Sequence, residues 1–351
     1  MKSKILAIAI TALAMAFGGF SNVNAQVKLT GAGSTFDYPI FSKWFDTYNK
    51  MTGIQINYAS IGSGGGIRQI TEGTVDFGAS DAPLTAEQRD AFKKARGSEV
   101  VHIPIIIGGV AISYNLPEVG QGIKLDGATL ANIYLGNITK WNDPAIVKLN
   151  PDKNMPDQAI IVAHRSEGSG TTFIFTSFLT KVSPEWAKKC GNSTAVDWPV
   201  GLGAKGTEGV AGIISQTKGA IGYVELAYAK QNNLPYCLMG NKDGNNFVDV
   251  NFNTVSDAAA GAAANMPSDL TAVITNAPGK NSYPICGFSW VVIPKDIANH
   301  EHAEALVKFL KWAVTKGQDD ATSLFYAPLP KPVQKLDVEK LNTITSNGKK
   351  L

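Results

Sequence analysis

The chain has 351 residues, of which 32 are Lys or Arg and 29 are Asp or Glu, giving a formal net charge of +3 at pH 7. So small a net charge creates no strong global field, which argues against nucleic acid and anionic lipid as partners and leaves any anion to a local site. Three cysteines, Cys190, Cys237 and Cys286, permit either one disulfide bridge with one buried thiol or three buried thiols.

The first 25 residues have the pattern of an export signal. Lys2 and Lys4 precede an apolar run, Ile5 to Phe17, that is too short to form a stable transmembrane helix. Small residues at positions 23–25 then predict cleavage after Ala25, so we expect a periplasmic mature protein. A retained membrane anchor is the alternative interpretation. The remaining length favours two lobes over a single core.

The mature chain begins with alternating strand and helix patterns. A strand signal at Val27 to Leu29 leads into the glycine loop "TGAGST", followed by a helix with apolar residues at helical spacing that ends near Gly53. The strand "IQINYAS", the loop "IGSGGG", the short helix "IRQITEG" and the strand "TVDFGAS" come next. This order predicts an α/β fold in which a mostly parallel sheet is covered by helices.

Two long apolar runs, residues 100–116 and 283–295, indicate buried strands. A second αβ region lies between them, and the amphipathic helix "HAEALVKFLKWAVTKG" follows the second run. We expect lobe I to comprise residues 26–109 and 286–351, and lobe II to comprise residues 110–285, with two hinge crossovers. Ligands of such α/β lobes bind in the cleft outside the carboxyl ends of the strands.

Three loops share one design, because each follows a strand, carries Gly with Ser or Thr, and opens a helix. They are Gly33-Ser34-Thr35-Phe36, Gly62-Ser63-Gly64-Gly65 and Gly168-Ser169-Gly170-Thr171. Free N–H groups and the positive end of a helix dipole suit an oxyanion. Arg165 could grip two oxygens, and Glu167 could hold its guanidinium in place. Simple helix capping is the alternative for each loop, and a solvated acid favoured by the dipole is the alternative for Glu167.

Asp81 follows the strand "TVDFGAS", where the loops should converge. A carboxylate repels a fully deprotonated anion, yet it can accept a hydrogen bond from P–OH; phosphate carries a proton near neutral pH and sulfate does not. In a dry cleft the mismatch should cost several kcal/mol, roughly a thousandfold in selectivity. Asp81 therefore argues against a binder of sulfate or molybdate. A capped turn before Pro83 is the alternative role for this residue.

The stretches "LTGAGSTFDYPIFSKWFDTYNKMTG", "IGSGGGIRQITEGTVDFGASDAPL", "HRSEGSGTTFIFTSFLTKV" and "WPVGLGAKGTEGVA" run in order through the chain. They resemble the periplasmic phosphate-binding proteins of bacterial high-affinity phosphate ABC importers. With further matches, the resemblance covers most of the chain from Leu29 to about Tyr236. It implies a two-lobed type II periplasmic binding fold with phosphate buried between the lobes. It also implies a membrane permease as partner, no cofactor and, by family default, a monomer.

Carried over position by position, the resemblance implies a set of phosphate contacts, with Phe36 using its backbone N–H. The set is Thr35, Phe36, Ser63, Asp81, Arg165, Ser169, Gly170 and Thr171. Glu167 stands where the family has an aspartate that steadies the arginine, and it is one methylene longer. His164 stands where similar relatives have a second arginine, so we do not count it as a ligand.

An enzyme is the competing interpretation from another class. His300 and His302 of "NHEHAE" resemble a metal motif, but residues two apart diverge on a helix. "GLGAKG", residues 201–206, fits a dinucleotide motif with Glu225 near the expected offset, yet Pro199 makes a poor preceding strand. We therefore expect a binding protein with no metal, no cofactor and no catalytic residues.

Overall fold

The computed structural model describes residues 27–243 and 246–351, so the predicted leader and its cleavage point lie outside the described residues. The strands alternate with helices along the chain, as the sequence predicts. They are β1 (Lys28–Gly33), β2 (Gln55–Ser60), β3 (Phe77–Ser80), β4 (Val100–Tyr114), β5 (Lys124–Leu125), β6 (Ile161–Arg165), β7 (Leu202–Ala204), β8 (Ala220–Glu225), β9 (Leu238–Gly240), β10 (Phe247–Val248), β11 (Cys286–Pro294), β12 (Thr345–Ser346) and β13 (Lys349–Lys350).

Helices alternate with these strands along the chain, and two short 3₁₀ turns, Lys316–Asp320 and Thr322–Leu324, lie between the last two helices. Within the described ranges, none of the helices combines the length and apolarity needed to cross a membrane. The helices are α1 (Tyr38–Thr52), α2 (Ser63–Glu72), α3 (Ala86–Arg96), α4 (Gly127–Tyr134), α5 (Pro144–Leu149), α6 (Gly170–Val182), α7 (Pro184–Lys189), α8 (Gly206–Gln216), α9 (Leu226–Gln231), α10 (Phe252–Ala264), α11 (His300–Ala313) and α12 (Lys331–Leu341).

An eight-stranded sheet organises the molecule, with strand order β2-β1-β3-β11-β4-β8-β6-β7. Strand β1 pairs in parallel with β2 and β3, and strand β6 pairs in parallel with β7 and β8. The centre differs from the flanks, because β11 is antiparallel to both β3 and β4, and β8 is antiparallel to β4. The sheet is therefore mixed, with parallel flanks around an antiparallel centre.

Strand β4 belongs to both sides of this sheet. It pairs with β11 between Val100 and Gly109, and with β8 between Val110 and Tyr114. We name the strands β2-β1-β3-β11-β4 the first half and the strands β4-β8-β6-β7 the second half. Every residue of β11 and every residue of β4 except Val100 is buried, which explains the two continuous apolar runs in the sequence.

Helix α1 shows how local sequence gives local structure. Ile40, Phe41, Trp44 and Tyr48 recur at helical spacing, and all four side chains are buried against the sheet. The N–H of Gly53 bonds to the carbonyl of Asn49 and ends the helix at the predicted position.

Two glycine loops are shorter than the sequence suggested. Strand β1 continues to Gly33, because its last residues still pair with β2 and β3. Helix α2 begins at Ser63 rather than at Ile67, so the glycines predicted as a loop form its first turn. A Cβ at Gly66 would lie 2.5 Å from the carbonyl oxygen of Ala32, so glycine at this position lets α2 approach β1 closely.

The three cysteines are free thiols. Cys237 and Cys286 are buried, whereas Cys190 is partly exposed. The structure therefore has three thiols and no bridge between these cysteines, but Cys190 is not buried as the three-thiol alternative assumed.

Candidate functional site

The carboxyl ends of β1, β3 and β6 and the N-termini of α2 and α6 meet between the two halves of the sheet. The N–H of Gly64 donates to the carbonyl of Gly168 at 2.9 Å, and the N–H of Gly170 donates to the hydroxyl of Ser63 at 3.0 Å. The structure thus brings the predicted anion contacts together, and all of them are buried: Thr35, Phe36, Ser63, Asp81, Arg165, Ser169, Gly170 and Thr171.

Two further hydrogen bonds join the halves at the edge of this site. The hydroxyl oxygens of Thr35 and Thr207 lie 2.8 Å apart, and Thr207 is in the first turn of α8. The phenol of Tyr228 donates to the carbonyl of Thr35 at 2.9 Å. The first turn of α8 is therefore a fourth element of the site, built like the three predicted loops.

Asp81 directly follows β3 and is turned into the protein, with 1% of its surface exposed. Its Oδ1 accepts hydrogen bonds from the hydroxyls of Ser34 at 2.5 Å and Ser289 at 2.8 Å. A Cβ at Gly170 would lie 2.6 Å from Asp81 Oδ2, so only glycine lets α6 of the second half approach this carboxyl so closely.

The capping role considered for Asp81 belongs to its neighbour instead. The hydroxyl of Ser80 donates to the carbonyl of Ala82 and accepts from the N–H of Ala82, which holds the turn before Pro83. The carboxyl of Asp81 takes no part in these two hydrogen bonds and faces the site. Burial raises its pKa from 3.8 to about 6, although Ser34, Ser289 and Arg165 all favour the charged form.

Arg165 ends β6 and is almost fully buried. Its Nε donates to Glu167 Oε1 at 2.9 Å, and Nη2 contacts the same oxygen. Nη1 donates to Thr207 at 3.3 Å, and the N–H of Gly206 also donates to Glu167 Oε1. Glu167 thus lies against Arg165 as the sequence suggested, and both side chains are tied to the start of α8. A guanidinium fixed in this way presents its charge with little loss of side-chain entropy on binding.

Two hydroxyls at the start of α6 differ in how they are used. Ser169 caps α6, since its oxygen accepts from the N–H of Thr172, so the capping alternative accounts for this acceptor. The proton of that hydroxyl can still be donated. Thr171 Oγ1 is buried and makes no hydrogen bond of good geometry within the part of the chain that the structure describes, although this hydroxyl lies close enough to Asp81 to lower the pKa of that carboxyl. An unpartnered hydroxyl beside Asp81 and Gly170 is suited to a polar ligand.

Comparisons with known proteins agree on the family. A family model described as "PBP superfamily domain" matches residues 21–316. The phosphate-binding protein PstS of Pasteurella multocida is 45% identical over 342 residues, which cover 97% of each protein. The chain belongs to the PBP superfamily, in the family of the phosphate-binding proteins PstS. The PstS protein of Haemophilus influenzae is also 45% identical, over 307 residues that cover 87% of this chain and 90% of the relative.

A solved structure extends the likeness to the fold. The crystal structure of the phosphate binding protein from Stenotrophomonas maltophilia superposes with a TM-score of 0.69 over 89% of this chain and 93% of that protein. The two sequences are 20% identical, so this likeness concerns the fold alone. Together with the family match, it confirms the predicted α/β fold of the type II periplasmic binding class and the resemblance on which that prediction partly rested.

Three residues of the site were absent from the predicted set of contacts. The sequence indicates these three residues to different degrees. Ser34 lies inside a loop that the sequence singled out. Thr207 follows β7 in the stretch "KGTEG", which has the same strand-glycine-hydroxyl-helix design as the three predicted loops. Ser289 is a single hydroxyl in the otherwise apolar strand β11, and no local pattern indicates what it contacts.

The competing motifs have structural roles. Residues 202–204 of "GLGAKG" form strand β7 itself, whereas a dinucleotide loop would follow a strand, and Glu225 caps α9 through the N–H of Ala227. His302 bonds to Asp76, while the side chain of His300 extends toward Glu304. These contacts separate the two histidines, as their spacing predicted.

Proposed function

We propose that this protein captures inorganic phosphate in the cleft between two lobes and delivers it to an ABC importer. Asp81 carries the proposal, because it is a buried carboxyl that faces Gly170 and Arg165 across a site otherwise built from donors. Such a group suits an anion that brings its own proton. The similar proteins of Pasteurella multocida and Haemophilus influenzae are named phosphate-binding proteins, which supports the same ligand.

Each site residue has a role in this proposal. Asp81 accepts the proton of the phosphate O–H group, and Arg165 supplies the compensating positive charge. The hydroxyls of Thr35, Ser63, Ser169 and Thr171 and the N–H groups of Phe36 and Gly170 donate to phosphate oxygens. In the structure the two N–H groups donate to Ser34 and Ser63, so these donors would change partners when the anion binds. Glu167 keeps the guanidinium of Arg165 in place.

The lobes of the proposal are residues 26–109 with 286–351, and residues 110–285. Gly109 and Cys286, where the chain would cross between lobes, lie opposite each other in β4 and β11. Phosphate could reach the site only when the bonds from Gly64 to Gly168 and from Thr35 to Thr207 separate, and closure would restore them by a hinge motion.

We further propose that the chain is exported, that its leader is cleaved after Ala25, and that it acts in the periplasm as a monomer. The leader pattern at residues 1–25 supports export. A permease in the inner membrane would recognise the closed form and receive the phosphate. The protein itself would bind without turnover, as the names of its relatives suggest.

Titration calorimetry of the mature protein with phosphate and with sulfate at pH 8 tests the proposal. At that pH Asp81, with a pKa of about 6, is charged, so sulfate should be disfavoured by about a hundredfold through this residue alone. A chromogenic phosphate ester should remain intact in the same buffer. Equal affinities for the two anions would refute phosphate as the ligand, and hydrolysis of the ester would refute the binding role.

A further inference from the structure

Ser289 connects the site to a second buried carboxyl, Asp37. Its Oγ lies 2.7 Å from Asp37 Oδ2 and 2.8 Å from Asp81 Oδ1, and all three side chains are buried. A hydroxyl has one proton, so Ser289 can donate to only one of the two carboxyls. The other contact is a hydrogen bond only if that carboxyl is protonated and donates to the hydroxyl oxygen. The geometry therefore places one proton on one of the two aspartates.

The surroundings of the two carboxyls decide where the proton lies. Asp81 accepts a hydrogen bond from Ser34, and the charge of Arg165 also stabilises its ionised form, whereas the ionised form of Asp37 is favoured by Ser34 and Ser289 but not by Arg165. Asp37 Oδ2 bonds to Ser289, whereas Asp37 Oδ1 has no hydrogen-bond partner among the described residues. A buried carboxylate with an unpaired oxygen is costly, while the carbonyl oxygen of a neutral carboxyl is much less so. The proton therefore belongs on Asp37.

No cation in the described part of the chain compensates Asp37. Burial, and then the charge of Asp81, raise the pKa of Asp37 well above its ordinary value. Burial also raises the pKa of Glu225, of Tyr58 and of Tyr326, which favours the neutral form of each group. The groups that face Asp37 are Asp81, Ser34, Ser289, Tyr58, Tyr326 and Glu225.

Helix capping does not explain Asp37. It occupies the N-cap position of α1, where an aspartate would ordinarily accept from the first N–H groups, yet its side chain makes no cap hydrogen bond. The carboxyl is directed to Ser289 instead, 252 residues along the chain. Asp37 thus bonds to a distant hydroxyl beside the anion site instead of capping α1. We infer from this that Asp37 has a role in that site.

We propose that Asp37 is a positioning residue that holds a proton: it donates to Ser289, Ser289 donates to Asp81, and Asp81 thereby stays an ionised acceptor. This inference deepens the proposed function and rests on it. The chain of hydrogen bonds keeps the resting site at one negative charge instead of two. The hydrogen bond from Ser289 also lowers the pKa of Asp81. Asp81 therefore stays ionised and keeps its preference for a ligand that brings a proton.

Infrared spectroscopy of the ligand-free protein at pH 7 tests where the proton lies. Asp37→Asn should remove the absorption of one protonated carboxyl group, as seen in the difference spectrum between native protein and variant. Unchanged absorption of protonated carboxyls in this variant would overturn the inference. Because no ligand is present, this result stands even if the native protein fails to bind phosphate, an outcome that would refute only the proposed function.

Ser289→Ala gives a second test that does not depend on the folding of the Asp37 variant. Without the donor from Ser289, Asp81 should take up a proton more readily, so the affinity for sulfate at pH 8 should rise about tenfold. The fall of sulfate affinity with pH should also begin about one unit higher. Ser113→Ala is the matched control, because it removes a buried strand hydroxyl that has no partner among the described residues. A pH profile of Ser289→Ala that superimposes on the native profile would overturn the inference.

Discussion

Asp81→Asn should abolish the pH dependence of sulfate binding. Burial raises the pKa of Asp81 to about 6, so the native carboxyl is neutral below that pH and charged above it. Sulfate brings no proton between pH 6 and pH 8, and it should bind only after Asp81 has been protonated. Each pH unit above 6 therefore adds about 1.4 kcal/mol, or a factor of ten, to the cost of binding sulfate. An asparagine carries no charge at any of these pH values.

The expected penalty at pH 7 is about tenfold and at pH 8 about a hundredfold, from one and two units above the pKa. This is smaller than the roughly thousandfold discrimination that the sequence suggested. The physical reason is that burial already makes protonation of Asp81 easy, so a deprotonated anion can bind to the neutral form at a modest cost.

Titration calorimetry with sulfate at pH 6, 7 and 8 measures the effect. Native protein should lose about fivefold in affinity between pH 6 and pH 7 and about tenfold between pH 7 and pH 8, because about half of Asp81 is still neutral at pH 6, and Asp81→Asn should give one affinity throughout. Asp337→Asn, which alters another buried carboxyl on α12, is the matched control and should follow the native curve. A native curve without slope, or a variant curve parallel to it, would refute the reasoning.

Three further outcomes are expected. Arg165→Lys should weaken phosphate binding about tenfold or more in calorimetry, because an ammonium cannot replace a guanidinium held at three nitrogens; an unchanged affinity would contradict this. Thr207→Val should lower the free energy of unfolding in urea by about 1 kcal/mol. The control Thr180→Val, whose hydroxyl lacks a partner among the described residues, should change it less. Cys190 alone should react with a thiol reagent in native protein, since burial protects the other two thiols; three fast thiols would be inconsistent.

Much of the fold could be predicted from the sequence because local apolar patterns agree with burial in the folded protein. The apolar run at residues 100–116 is continuous since both faces of β4 are covered, and helix α1 shows its buried face as a 3.6-residue period. The boundaries of the glycine loops were predicted less accurately. Glycine has low helix propensity, and the sequence alone does not show that α2 must approach β1 at Gly66.

In the candidate site too, local sequence patterns indicate some residues and not others. Arg165 and the three loops could be predicted because each lies at the end of a strand and before a helix. Asp37 and Ser289 could not be predicted, because the hydrogen bond between them spans 252 residues and depends on β11 lying between β3 and β4. A hydroxyl inside an apolar strand is compatible with many partners, and only tertiary structure selects one.

Strand β4 has a consequence for how the molecule unfolds. It supplies an edge to each half of the sheet without interruption, so neither half can melt and leave the other intact. Loss of the first half would expose the buried residues 101–109 of β4, which continue directly into the residues 110–114 that pair with the second half. The two halves should therefore denature in a single cooperative step, although they lie on either side of the anion site.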